Sequence, residues 1–375
     1  MYEFDPMECP RCHSPMNVAV LGSGNGGLAV AFDYASHGHE VSLFDFEKFP
    51  GNIRAVQVNK GIYAEGQLEG FAPVVYAGHD IKKTCKNADL VMIVGPAYST
   101  RPFGQTARRC IQDGQIIIVC PGSCCGSLEF MNGVGLTIGE TEVTVAETST
   151  LPYAVRGTVP GRIRVFLKLK AGLLLAAIPA SRTGEVLERI KDVYPSFKPA
   201  KNVMQTSLQN ANPVIHPSIS IANAALIERT GGDFFFYHDG VTPAVGRLVK
   251  AVDEERIAIG KKLGLEVIPD PEMGLTQGYM KEATYDAGYS KAPGFEGIKA
   301  QPRLDYRYFH EDVGYGLVFL TDLARQLGVE TPVMEAVIKV ASILMDRDYM
   351  FEKKRTMESL GIAGKSPGEL DTLLA

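Results

Sequence analysis

The sequence predicts an α/β domain with a parallel sheet, followed by a mainly α-helical domain. Three observations predict it. Near the start, an apolar strand runs into a glycine-rich turn and then an apolar helix, within residues 17–36. Two further runs, Asp89–Val94 and Ile116–Val119, are apolar without alternation. Such runs suit strands buried on both faces, as in a parallel sheet covered by helices. Near residue 200 the strand signals almost vanish. Thr-Pro starts and Gly stops take over, which is how helices are punctuated.

The stretch Asn17–Asp45 carries the most information. Val18, Ala19, Val20 and Leu21 form a buried strand, and Gly22, Gly24 and Gly27 then give G-x-G-x-x-G. Gly22 allows the tight turn, Gly24 lets backbone approach a pyrophosphate, and Gly27 lets the helix pack close to the sheet. Asn25 and Gly26 complete the loop, and the free N–H groups of the helix start can bind phosphates. A second strand, Glu40–Phe44, ends in Asp45, eighteen positions beyond Gly27. An acid there accepts hydrogen bonds from an adenosine ribose and repels a 2′-phosphate. That argues for NAD over NADP. A Gly-rich turn that binds nothing is the plain alternative, but strand, helix and acid all agree with the motif.

Composition narrows the class. A chain of 375 residues suffices for two domains, and 45% hydrophobic with 22% charged residues implies a packed core. The net charge of −5 gives no electrostatic case for nucleic acid or an anionic membrane. The longest apolar run, Ala171–Pro179, is too short to span a bilayer. The acidic N-terminus lacks the order of a signal peptide. Seven cysteines, an odd number with no mark of secretion, read as reduced thiols of a cytoplasmic protein.

In chain order, residues 1–16 read as a tail. Cys9-Pro-Arg-Cys12-His13 suggests half a zinc site or a haem attachment sequence, but it has no second cysteine pair and no export signal. No metal is expected. A helix over Ile53–Asn59, a strand near Val74-Val75, a short helix over Ile81–Cys85 and a helix over Phe103–Ile111 fill in the first domain. Ser123-Cys124-Cys125-Gly126 follows the strand Ile116–Val119, where a catalytic cysteine is conceivable and an incidental thiol more expected. A strand over Thr141–Ala146 comes next. Ile163–Lys170 and Leu173–Ile178 read as an antiparallel hairpin, and Thr183–Val193 as a helix. The expected units are 17–200 and 201–375. In the second, Thr242-Pro243 and Thr331-Pro332 open helices, Leu317–Leu327 is another, and residues 287–304 read as a long loop.

Hydride chemistry needs a proton donor, and histidine has the right pKa. His37, His39, His79 and His238 read as surface residues. His216 differs. It sits in Asn210-Ala-Asn212-Pro-Val-Ile-His216-Pro217, with Pro217 placed to begin a helix and His216 at its N-terminus. A catalytic and a merely capping histidine stand level there. A second segment, Arg307-Tyr-Phe-His310-Glu311-Asp312, runs from charged into apolar residues. Asp312 is a candidate partner for His216, and Arg307 and Asn212 are candidate substrate-binding residues. A guanidinium can hold a carboxylate bidentately. First-turn acids and a surface arginine are the plain alternative.

With these segments the chain resembles the opine dehydrogenase family, which includes octopine and nopaline dehydrogenases. The resemblance rests on G-S-G-N-G-G-L-A, on N-x-N-P-x-x-H-P ending at His216-Pro217, and on R-x-x-x-E-D-V-x-x-G from Arg307 to Gly316. It implies an NAD-dependent reductive condensation of a 2-oxo acid with the amino group of an amino acid. His216 and Asp312 would be its acid–base pair and Arg307 its carboxylate anchor. The expected partners are small molecules, and a homodimer is compatible with the chain. A hydroxy acid dehydrogenase and a non-catalytic NAD-responsive protein are the alternatives.

Overall fold

The computed structural model describes residues 14–139 and 142–375. The expected fold class is borne out. Twelve strands lie in two sheets: β1 (Asn17–Leu21), β2 (Glu40–Phe44), β3 (Gly61–Gly66), β4 (Gly70–Pro73), β5 (Tyr76–Gly78), β6 (Leu90–Ile93), β7 (Ile116–Val119), β8 (Thr144–Thr148), β9 (Tyr153–Val159), β10 (Arg162–Lys168), β11 (Leu173–Ile178) and β12 (Phe197–Pro199). The main sheet has the order β12-β11-β8-β7-β6-β1-β2-β5. From β8 through β5 its strands are parallel, and β11 runs antiparallel to β8. Strand order reverses between β1 and β6, and at such a switch point a crevice opens beyond the strand ends. The glycine loop leaves β1 there.

Period-2 alternation divides the core. Ala19, Leu21, Val91, Ile93, Ile117 and Val119 face one side, packing on the helices Thr100–Ala107 and Gly126–Val134 and on the helical half. Val18, Val20, Leu90, Met92, Ile116 and Ile118 face the other. On that side lies the helix Asn25–Ser36, covered in turn by the second sheet, β4-β3-β10-β9. The helix is sandwiched, so Gly27 through Ala35 are all buried. An apolar face all round is what such a position requires.

The expected hairpin from 163 to 178 does not form. β10 pairs with β9 and β3 in the second sheet, while β11 pairs with β8 and β12 in the main one. The patterns differ for this reason: β10 alternates buried with exposed, and β11 is buried at five of its six positions. Gly172, at φ +66°, turns the chain between the sheets. The hairpin β3–β4 and the short β12 carried no distinct pattern. The strand expected at Thr141–Ala146 is β8, three residues later, and Glu140 and Thr141 lie outside the described residues. So does the Cys9/Cys12 segment.

After β12 all regular structure is helical, apart from one bridge between Phe235 and Lys299. Thr242 caps the helix Pro243–Lys262, whose Val249, Val252 and Ile259 are buried. Arg256, fully buried on it, pairs with Asp253 at 2.6 Å and donates to the carbonyls of Leu208 and Ile268. That ties the helix Val203–Gln209, just before the His216 segment, to the helical core. Segment 287–304 holds a short helix, Ala287–Ser290, and a 3-10 turn. His39 is not a surface residue: it is buried, accepts from the Met16 amide (3.1 Å) and lies 2.7 Å from Asp192.

Candidate active site

The glycine loop forms an open cradle. A Cβ on Gly22 would stand 1.9 Å from the carbonyl oxygen of Val94, and one on Gly27 1.8 Å from that of Gly22. Neither can carry a side chain. A Cβ on Gly24 would meet nothing, so its face is open to the crevice. No side chain caps the following helix. The amides of Asn25, Gly26 and Gly27 are therefore available at its positive end, which fits a pyrophosphate. Asp45, at the end of β2, is buried. Its Oδ2 accepts from the amide and hydroxyl of Ser23 (2.7 Å each), and its Oδ1 from the Phe46 amide (2.8 Å). The carboxylate thus stiffens the loop and keeps lone pairs for a ribose.

His216 is on the helix Asn212–Ala222, which begins one turn before the expected start. Pro213, not Pro217, takes the N-terminal place that proline favours, and Pro217 lies inside the helix. His216 is therefore in the second turn, away from the free amides, and does not cap the helix. Its Nδ1 lies 2.8 Å from Asp312 Oδ2, and its Nε2 lies 3.2 Å from the Tyr237 hydroxyl. Its ring stacks on Tyr308, centroids 4.0 Å apart. Asp312 opens a π-helical segment, Asp312–Leu317, a form that often marks functional sites.

Burial dominates the electrostatics. It holds His216 well below its ordinary pKa, with Arg307 adding to the effect and Glu311 opposing it. It pushes Asp312 up to about 7, against the pull of Arg307. Both shifts disfavour charge, so the pair is poised to exchange a proton rather than to sit as a fixed ion pair. Arg307 donates to Glu311 Oε2 (3.1 Å) and leaves the rest of its fork free. Glu311 Oε1 accepts from the Ala97 amide at 2.9 Å, after β6, so this carboxylate bridges the two halves.

One cleft of about 410 Å³ joins these parts. Of the expected residues, Gly24, Asn25, Gly26, Gly27, Asn212, His216 and Arg307 line it. Gly22, Asp45 and Asp312 stand behind that wall. Asn212, half-buried, has its amide on Asn210 Oδ1 (3.0 Å). Four lining residues escaped the sequence reading. Tyr237 and Tyr308 lie in aromatic clusters without distinctive spacing, Glu311 looked like a first-turn acid, and Arg156 lies on β9, a strand the sequence reading did not place. Cys124 and Cys125 do not enter the cleft. Both are fully buried, and burial pushes Cys124 up to about 12 and Cys125 well above its ordinary value. Their burial fits the incidental thiols expected.

Comparison with known proteins agrees with this layout. Residues 199–345 match the profile of the NAD/NADP octopine/nopaline dehydrogenase α-helical domain. Residues 17–134 match that of the NAD-dependent glycerol-3-phosphate dehydrogenase N-terminus. An opine dehydrogenase of Arthrobacter sp. (strain 1C) is 38% identical over 92% of this chain and 95% of its own length. A vitopine synthase of Allorhizobium ampelinum is 27% identical over 93% and 96%. An octopine dehydrogenase solved with NADH and agmatine superposes with a TM-score of 0.77 at 18% identity, covering 95% of this chain and 97% of that one. A yersinopine dehydrogenase with NADP⁺ bound gives 0.71 at 14% identity, covering 96% and 98%.

Proposed function

The chain belongs to the opine dehydrogenase family, and from that premise we propose that its cleft joins a 2-oxo acid to an amino acid, with His216 and Asp312 as the acid–base pair. It is an NAD(P)-dependent oxidoreductase acting on a CH–NH bond. The reaction consumes a 2-oxo acid, an amino acid, NAD(P)H and a proton, and releases the secondary amine, NAD(P)⁺ and water. One observation supports the residue roles above others: His216, backed by Asp312, faces the same cleft as the glycine loop and Arg307. The hydroxy acid and non-catalytic readings are not favoured.

Gly22, Gly24, Asn25, Gly26 and Gly27 would hold the dinucleotide, with phosphates on the open amides and the ribose at Asp45. When bound, the nicotinamide supplies the hydride. Arg307 holds the oxo-acid carboxylate, and Asn212 lines the same cleft as a polar contact. His216, protonated on both nitrogens once substrate is bound, gives its Nε2 proton, the one the reaction consumes, to the carbinolamine oxygen as water leaves. Asp312 keeps the proton on Nδ1 and offsets the positive charge the ring carries before the transfer. The cleft walls keep water from the imine. Asp45 favours NADH over NADPH.

We take residues 17–200 as the nucleotide unit and 201–375 as the catalytic unit, since strands end at Pro199 and helices follow. Among the described residues no helix is long and apolar enough to cross a membrane. Among the described residues, five free buried cysteines support a reducing compartment, the cytoplasm. A homodimer is open to light-scattering measurement.

The test is a panel of 2-oxo acids crossed with amino acids, followed by NADH absorbance. NADH oxidation is expected only when both substrates are present. His216→Asn is expected to lower kcat by roughly 10²- to 10⁴-fold while NADH still binds. Oxidation with an oxo acid alone, or full turnover by the variant, would refute the assignment.

A further inference from the structure

The cleft carries a second guanidinium that the reaction above leaves idle. Arg156 lies on β9 and lines the cleft with Ala154, Tyr237 and Tyr279. Its one hydrogen bond runs from Nη1 to the carbonyl of Val155 (3.0 Å), and no acid pairs with it among the described residues. Directly across the ladder, on β10, stands Arg164. Like charges opposed across an antiparallel pair are destabilising; Arg164 has Glu65 in register on its other side, on β3, while Arg156 has no acid.

The strand is also pinned. A Cβ on the neighbouring Gly157 would stand 2.8 Å from Asn25 Oδ1, which packs β9 against the glycine loop. The β9 backbone that carries Arg156, an exposed side chain, is thus fixed on one side of the cleft, and Arg307 comes from the helical half. His216, Tyr237 and Tyr308 feel both cations, while Tyr279 feels Arg156 and not Arg307. Beside Arg156, Phe295 stacks between Tyr237 (4.0 Å) and Tyr279 (5.1 Å), a wall fit for an apolar or aromatic side chain.

An opine carries two carboxylates, one from each substrate, flanking the new C–N bond. We propose that Arg156 binds the carboxylate of the amino donor, while Arg307 holds that of the 2-oxo acid and His216 stands between them. The proposal rests on the opine dehydrogenase reading. Its consequence is a specificity rule: the enzyme takes α-amino acids and discriminates against the same amines without the carboxylate.

The experiment compares phenylalanine with phenethylamine and arginine with agmatine, each with pyruvate and NADH. The readout is the ratio of kcat/KM for the acid to kcat/KM for its decarboxylated partner. Arg156→Met is expected to lower that ratio about 10- to 100-fold, the worth of a charged hydrogen-bonded contact. The loss should fall on the KM for the amino acid, and Arg156→Lys should recover part of it. An unchanged ratio in a folded variant overturns the proposal. So does a loss confined to the KM for pyruvate, or to NADH affinity in a fluorescence titration, which would assign the guanidinium to the oxo acid or to cofactor phosphates. If the wild-type protein oxidises no NADH with any pair, the family reading fails first and this proposal with it.

Discussion

Burial and two arginines hold the His216 pKa well below its ordinary value in the free protein, with Glu311 pulling the other way. The substrates are carboxylates. One that settles on Arg307 offsets a charge that depresses the imidazole, so binding raises the His216 pKa from its lowered value. Between those two values the histidine is neutral before binding and protonated after it. Oxo-acid binding is therefore predicted to draw in up to about one proton per site. Uptake should grow as the pH falls from neutrality toward the free-state value, and vanish at alkaline pH. Calorimetry in buffers of different ionisation enthalpy measures this directly. A binding enthalpy independent of buffer, in wild type as in His216→Asn, would exclude it. That His216, Asp312 and Arg307 come together was legible through the two segments that carry the family resemblance; residue types alone left His216 level between a catalytic and a capping place. Arg156 was not, because the sequence reading places no strand over 153–159 and a lone arginine there carries no local signal.

Among the elements, the contact between the helix Asn212–Ala222 and the π-segment Asp312–Leu317 decides whether the His216–Asp312 hydrogen bond exists. Gly316 makes that contact possible: a Cβ there would stand 2.5 Å from Pro213 Cγ, an atom of a rigid ring. Gly316→Ala should push the two elements apart and lengthen the His216–Asp312 bond. A misplacement of about 1 Å costs roughly 10²-fold in rate, and the overpacking about 1–3 kcal/mol of stability. NADH affinity, set in the other half, should hold. Steady-state kinetics with a nucleotide titration checks it, and a fully active variant would show that the contact has slack. The helix itself was legible, but not its start. Pro213 and Pro217 are equally good openers locally, and packing against Gly316 chooses between them. Likewise Ala171-Gly172 reads as a hairpin turn until two sheets compete for the strands on either side.

For the whole molecule, a shared apolar core joins the halves, and a few long-range bonds fix its edge. Glu311 grips the Ala97 amide, and the buried Arg355 donates to the carbonyls of Ser123, Cys124 (2.8 Å) and Ala97 (3.3 Å). Glu311→Ala is predicted to lower stability by about 1–3 kcal/mol, since a buried amide loses its acceptor. It should also speed hydrogen exchange at Ala97 relative to its neighbours in β6. Thermal melts and amide exchange test both, and unchanged protection at Ala97 would count against the bridge. The fold class was legible because each half is internally periodic. The join was not, because residues more than two hundred positions apart leave no local pattern. Arg355 has one further effect. It supplies the last bonds to the loops after β6 and β7, on the rim of the nucleotide crevice, although those loops are synthesised long before it. The order in which a ribosome delivers this chain is thus not the order in which its cofactor site is finished.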